Sequence, residues 1–146
     1  MSTQPSCIFC KIIAGQAEAS FVHKDDKVTA FMDIQPLVRG HLLIVPNYHT
    51  PNLTELADEY AGHMFKVGRR LAQALRASGL RCDGVNLYLA DGVTAGQSVF
   101  HTHLHVIPRH IKDGFRIHFP ESYGQRPPRA TLDEDAEIIR SAVETT

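Results

Sequence analysis

The chain has no tryptophan and only three cysteines, Cys7, Cys10 and Cys82, in 146 residues. An odd, sparse cysteine set does not build the disulfide scaffold of a small secreted domain. Charge of one sign is also missing: fifteen Lys and Arg against sixteen Asp and Glu leave a formal net charge of -1, so no overall field favours a nucleic acid or a membrane surface. The longest apolar stretch, Leu42 to Pro46, is the size of a strand and far short of the roughly 18 residues that span a bilayer. The opening residues lack the basic and long apolar regions of a secretory signal. Together these absences predict a cytoplasmic protein with no nucleic-acid or membrane partner. Ten Gly and eight Pro with 43% hydrophobic residues suit one ordinary globular core rather than a disordered or fibrous chain.

Short runs rich in β-branched and aromatic residues, bounded by Asp, Pro or Gly, read as strands over Phe21 to His23, Val28 to Ile34, His41 to Val45 and Val85 to Leu89. Between the last two, Tyr60, Met64, Val67, Leu71 and Leu75 recur at steps of three or four and share one helix face, with Gly79 as its stop. The pattern predicts an α+β domain in which one long helix covers a mainly antiparallel sheet. After Phe119 the composition shifts through Pro120, Gly124, Pro127 and Pro128 to a second helical pattern. Thr131 and Glu134 have capping-box spacing there, and Ile138, Ile139, Ala142 and Val143 form its apolar stripe. The expected division is a domain over 1–119 and an extension over 120–146 that packs on the domain or on a second subunit.

The abundant residue is histidine, with nine copies, three of them at His101, His103 and His105. Alternation with Thr102, Leu104 and Val106 on a strand would put the three imidazoles on one face and the other residues in the core. Such a row can ligate a metal, or one ring can act as nucleophile while its neighbours hold phosphate oxygens. The preceding loop, with Gly92, Gly96, Gln97 and Ser98, offers a permissive backbone and amide and hydroxyl donors suited to an anion. Near the N-terminus, Cys7 and Cys10 have a spacing that lets two thiolates meet one tetrahedral ion.

The segment from Gly96 to Arg109, with its three alternating histidines, resembles the signature of the histidine triad (HIT) superfamily. The resemblance extends upstream through Cys7 to Ile13, Phe31 to Ile34 and Gly40 to Pro46, and it is similar to the small nucleotide-binding members and their bacterial relatives. It implies a five-stranded mainly antiparallel sheet with one long helix and a C-terminal helix, and a homodimer. It also implies a hydrolase or transferase that cleaves at the α-phosphate of a nucleoside phosphoramidate or dinucleoside polyphosphate. His103 then takes the nucleophile position, His105 contacts phosphate oxygens, Gln97 and Ser98 grip the phosphate and assist the departing group, and His41 is an accessory histidine. Asp33 matches the carboxylate that binds ribose hydroxyls. Ile8, Phe9, Ile12, Phe31, Ile34 and Leu43 match the base pocket, with Gly96 in the phosphate loop, for a purine nucleotide or dinucleotide. In the zinc-bearing branch, His49 and His101 complete a structural site with Cys7 and Cys10. Ala90 stands where many relatives carry an Asn that helps hold the nucleotide. A non-catalytic nucleotide-binding regulatory module, and a metal-dependent enzyme using all three triad histidines, are the competing readings.

Overall fold

A computed structural model describes residues 3–143, 145 and 146. The chain separates into two compact units, one ending at Phe115 and the other beginning at Arg116. The first opens with a short helix, α1 (Ile8–Ile13), followed by strands β1 (Phe21–Lys24), β2 (Val28–Met32) and β3 (Leu42–Pro46). The long helix α2 (Asp58–Ala77) leads to β4 (Gly84–Tyr88) and β5 (Leu104–Arg109). The five strands form one sheet in the order β1-β2-β3-β5-β4, antiparallel at every pairing. This is the expected α+β architecture, and the last strand in sequence lies inside the sheet between β3 and β4.

Alternation along the strands separates two apolar clusters. Val28 and Ala30 of β2, Leu42 and Ile44 of β3, and Leu104 and Val106 of β5 join Tyr60, Met64, Val67, Leu71 and Leu75 of α2 in the larger one. Phe31, Leu43 and Val45 belong to the other cluster, against Phe9 and Ile12 of α1. Successive strand residues point to opposite faces, which accounts for the division. Helix α2 approaches closely at Gly68, where an added Cβ would stand 3.2 Å from Leu104 Cδ2. At Gly40 a φ of +99° and a Cβ position 3.1 Å from Pro108 Cγ both select glycine before β3.

Strands β1, β3 and β4 differ from the sequence reading by one residue at their ends, and two boundaries differ by more. Strand β2 ends at Met32 rather than Ile34 because Asp33 starts a turn: its Oδ1 accepts from Gln35 N–H at 2.8 Å, and its own N–H donates to His41 O. The triad histidines are not all on a strand. β5 begins at Leu104, and His101 and His103 precede it, with Thr102 N–H bonded to Thr50 O at 2.7 Å instead of to a neighbouring strand.

The second unit contains α3 (Arg129–Val143). Thr131 lies inside this helix instead of capping it: Thr131 N–H donates to Pro128 O, since a proline before the first turn already has a helix-compatible φ. Ile138, Ile139 and Val143 are exposed along it. Among the described residues, no helix is long and apolar enough to cross a membrane.

Candidate active site and metal centre

A cavity of about 330 Å³ opens on the α1 side of the sheet, within the usual range for a small-molecule site. Ile8, Phe9 and Ile12 of α1 wall it together with Phe31 and Leu43, and Asp33, Ser98, His103 and His105 bring the polar groups. Ile34 borders it as well, although 90% of its surface is exposed. Phe9 sets the geometry: its ring meets Phe31 edge-on at 5.5 Å and His103 at 5.2 Å between centroids. A planar ligand therefore finds an apolar slot whose floor is β2 and β3 and whose far side reaches the histidines.

Hydrogen bonds fix the tautomers of the site histidines. His103 Nδ1 lies 2.7 Å from the carbonyl oxygen of His101, so Nδ1 carries the hydrogen and Nε2 keeps a lone pair. Leu37 N–H donates to His41 Nδ1 at 3.1 Å, which puts the hydrogen of neutral His41 on Nε2. That Nε2–H faces His105 Nδ1 at 2.8 Å, and His105 therefore carries its own hydrogen on Nε2. The arrangement gives one bare ring nitrogen on His103 and one ring N–H donor on His105, with centroids 4.9 Å apart.

Burial also keeps these rings uncharged. Desolvation pushes His105 down to about 4, helped by its neighbours His103 and His41 and opposed by Asp33. It lowers His41 and His103 too, again against the attraction of Asp33, whose Oδ2 is 3.6 Å from His41 Nε2. A neutral imidazole is the nucleophilic form.

The loop from Gly92 to Ser98 divides its labour. Ser98 lines the cavity, whereas the buried Gln97 amide holds the loop itself: Oε1 accepts from Gly92 N–H, and Nε2 donates to Pro51 O at 2.6 Å and to Val99 O at 3.1 Å. Gly96, at φ +93°, provides the turn just before it and is not part of the cavity wall. Ala90 is buried. Arg109, at the end of the triad strand, is engaged by Asp113, Asn86 and the Phe115 carbonyl.

Beside the cavity, Cys7, Cys10, His49 and His101 each offer a ligand atom, all within 4.8 Å of one another. His101 Nε2 donates to Pro46 O at 2.9 Å, which leaves Nδ1 free to face the sulfurs. The distances are 3.5 Å from Cys7 Sγ to His101 Nδ1, 3.5 Å from Cys10 Sγ to His49 Nδ1, and 3.6 Å from Cys10 Sγ to His101 Nδ1. A tetrahedral zinc with Zn–S near 2.3 Å and Zn–N near 2.0–2.1 Å has sulfur-to-nitrogen edges of about 3.5–3.6 Å. The donor set thus fits such an ion in both chemistry and size. Asp33, His41 and His105 also lie close enough to share an ion, but their hydrogen-bond chain already uses the nitrogens that would face it.

All the cavity and cluster residues come from the unit that ends at Phe115. The family model for the HIT domain matches residues 14–112, which include the three triad histidines. The protein named hit of Bacillus subtilis is 43% identical over 116 residues, covering 79% of each chain. The adenosine 5'-monophosphoramidase of Saccharomyces cerevisiae is 36% identical over 79% of this chain and 70% of its own. Among solved structures, a zinc-bound histidine triad family protein from Mycobacterium smegmatis superposes with a TM-score of 0.73 at 41% identity, covering 91% of this chain and 97% of that one. Five antiparallel strands, a histidine row at the head of β5 and likeness along most of the chain lead to one assignment: this protein belongs to the HIT family.

Proposed function

We propose that this protein is a nucleotidyl hydrolase or transferase that acts through His103 on the α-phosphorus of a purine nucleoside phosphoramidate or dinucleoside polyphosphate. The observation that carries this reading is the 2.7 Å bond from His103 Nδ1–H to the His101 carbonyl, which leaves an uncharged Nε2 beside the cavity. In the reaction, Nε2 forms a bond to phosphorus as the P–N or P–O bond to the leaving group breaks. Ser98, which lines the cavity, supports the departing group, which leaves with a proton taken from solvent. His105 offers Nε2–H to a phosphate oxygen as charge builds up there. Water then attacks the nucleotidyl-histidine, releasing the nucleoside monophosphate and restoring the neutral ring. Asp33 receives the ribose hydroxyls, and Phe9, Ile12, Phe31 and Leu43 cover the base. Gln97 supports the loop that presents Ser98. His41 is a positioning residue that acts through His105.

The same reading gives Cys7, Cys10, His49 and His101 a structural zinc. When bound, zinc supplies a closed four-ligand clamp and no reacting position. The yeast phosphoramidase and the zinc-bound mycobacterial protein support these two assignments by likeness. A cytoplasmic homodimer belongs to the reading as well, with the extension over 120–146 packing on the domain or on a second subunit.

Incubation with adenosine phosphoramidate and with diadenosine tetraphosphate, wild type beside His103→Ala, tests the proposal. AMP release should depend on His103 and fall by about a thousandfold or more without it. Hydrolysis undiminished by the substitution would reject the mechanism. Tight nucleotide binding with no turnover by the wild type would point to the non-catalytic module instead.

A further inference from the structure

Glu18 lies in the connection between α1 and β1 and borders the cavity beside Ala19. It is exposed, and among the described residues its carboxylate forms no hydrogen bond or ion pair. The other carboxylate of the cavity wall, Asp33, accepts from Gln35 N–H, faces His41 and is assigned to the ribose. No function assigned above uses Glu18.

Its place along the cavity follows from the strand order. His103 and His105 come from the β5 end, Leu43 from β3, Phe31 from β2, and Ala19 and Glu18 from the segment that enters β1. Strands are spaced about 4.8 Å apart, so the step from β5 across β3 and β2 to β1 is about 14 Å. The proposed reading sets phosphorus at His103 before β5, ribose at Asp33 just past the end of β2, and the base between Phe9 and Phe31, so the base is the part of the ligand nearest β1. The edge of a purine farthest from the sugar then points to the β1 end. At that end Glu18 and Ala19 also border the neighbouring open groove of about 780 Å³.

An ionised carboxylate only accepts hydrogen bonds, and it has two oxygens side by side. Guanine presents two adjacent donors on its far edge, N1–H and the 2-amino group. Adenine presents one amino donor next to the N1 lone pair, which a carboxylate oxygen repels. We propose that Glu18 reads the far edge of the base and makes this pocket prefer guanine nucleotides over adenine nucleotides. The proposal rests on the nucleotide reading of the cavity and adds the identity of the base.

The test compares guanosine and adenosine 5'-phosphoramidates as substrates, and GMP and AMP as ligands by calorimetry, for the wild type, Glu18→Gln and Glu18→Ala. Because the site is open to solvent, a two-point carboxylate contact should favour guanosine by about five- to tenfold in kcat/KM and in Kd, the lower part of the range for bidentate base contacts. In Glu18→Ala the ratio should fall to within about twofold of unity, with an unchanged thermal midpoint. Glu18→Gln, which keeps one acceptor and gains a donor, should fall between. Equal handling of the two bases by the wild type, or a guanine preference that persists in Glu18→Ala, overturns the proposal. A Glu18-dependent preference for GMP in binding, without hydrolysis of either substrate, rejects the hydrolase reading and leaves this one standing. Failure to bind either nucleotide rejects both.

Discussion

His103 donates Nδ1–H to the main-chain carbonyl of His101 across 2.7 Å, while the side chain of that same His101 turns its own Nδ1 to the sulfurs of Cys7 and Cys10. One residue therefore serves two places by two different groups, its carbonyl fixing the His103 tautomer and its ring joining the Cys7, Cys10 and His49 cluster. In the proposed reading a zinc held there lies off the reaction path, yet the segment that carries His103 is tied to its ligand set.

Metal analysis should find about one zinc per chain in the wild type and markedly less in Cys10→Ser, with a lower thermal midpoint, since structural zinc binding contributes directly to folding. The folded fraction of Cys10→Ser should still hydrolyse substrate. Unchanged zinc content in that variant rejects the ligand set, and loss of turnover in fully folded, zinc-free protein places the metal in the chemistry.

His41→Ala removes the Nε2–H that meets His105 Nδ1, so His105 no longer has a fixed tautomer. A group that acts through another should lower kcat with little effect on KM; about a 10- to 100-fold fall in kcat is expected. His41→Asn, which keeps an N–H donor on a shorter side chain, should recover part of it. A change confined to KM would instead assign His41 to substrate binding.

Acid should weaken the fold over a defined window. Burial, with the positive potential of His103 and His41 in their charged forms, holds His105 at about 4, and burial also keeps His41 and His103 below their ordinary value. Between about 6.5 and 4 the unfolded histidines take up protons that the native ones refuse, so stability falls as pH drops through that interval and is fully present above it. Chemical denaturation at stepped pH in the presence of chelator measures the slope, and His105→Asn should flatten it. The same neutrality of His103 should carry kcat/KM undiminished to below pH 6.5.

Thr102 sits between two triad histidines at 1% exposure, and its hydroxyl has no hydrogen-bond partner among the described residues. Its backbone N–H, bonded to Thr50 O, does not depend on the side chain. Thr102→Val replaces an unsatisfied buried hydroxyl with a methyl group of similar shape and should raise stability by about 1 kcal/mol, read as a higher denaturation midpoint with hydrolysis retained. A loss of stability would mean that the hydroxyl has a partner.

The sheet and long helix were legible because each shows its period over enough residues: Tyr60, Met64, Val67 and Leu71 repeat on one face of α2, and Leu42 to Val45 alternate between the two clusters. The triad histidines were legible as a motif rather than as a strand, since His101 and His103 keep a common side without belonging to β5. Helix α1 has six residues, too few for a 3.6-residue period to be visible. The role of Gln97 depends on reaching the Pro51 carbonyl, 46 positions away, and the one proposed for Glu18 depends on which strands separate it from His103. Such facts belong to the crossing of the chain and not to any local pattern.

The sheet acts as a partition between Phe9, Ile12, Phe31, Leu43 and Val45 on one side and the larger α2 cluster on the other. Detachment of α1 would open the first compartment and leave the second closed, so the cavity can be lost through a local opening while the scaffold stays folded. Inactivation on warming should therefore precede global melting, and bound nucleotide should narrow the interval between the two.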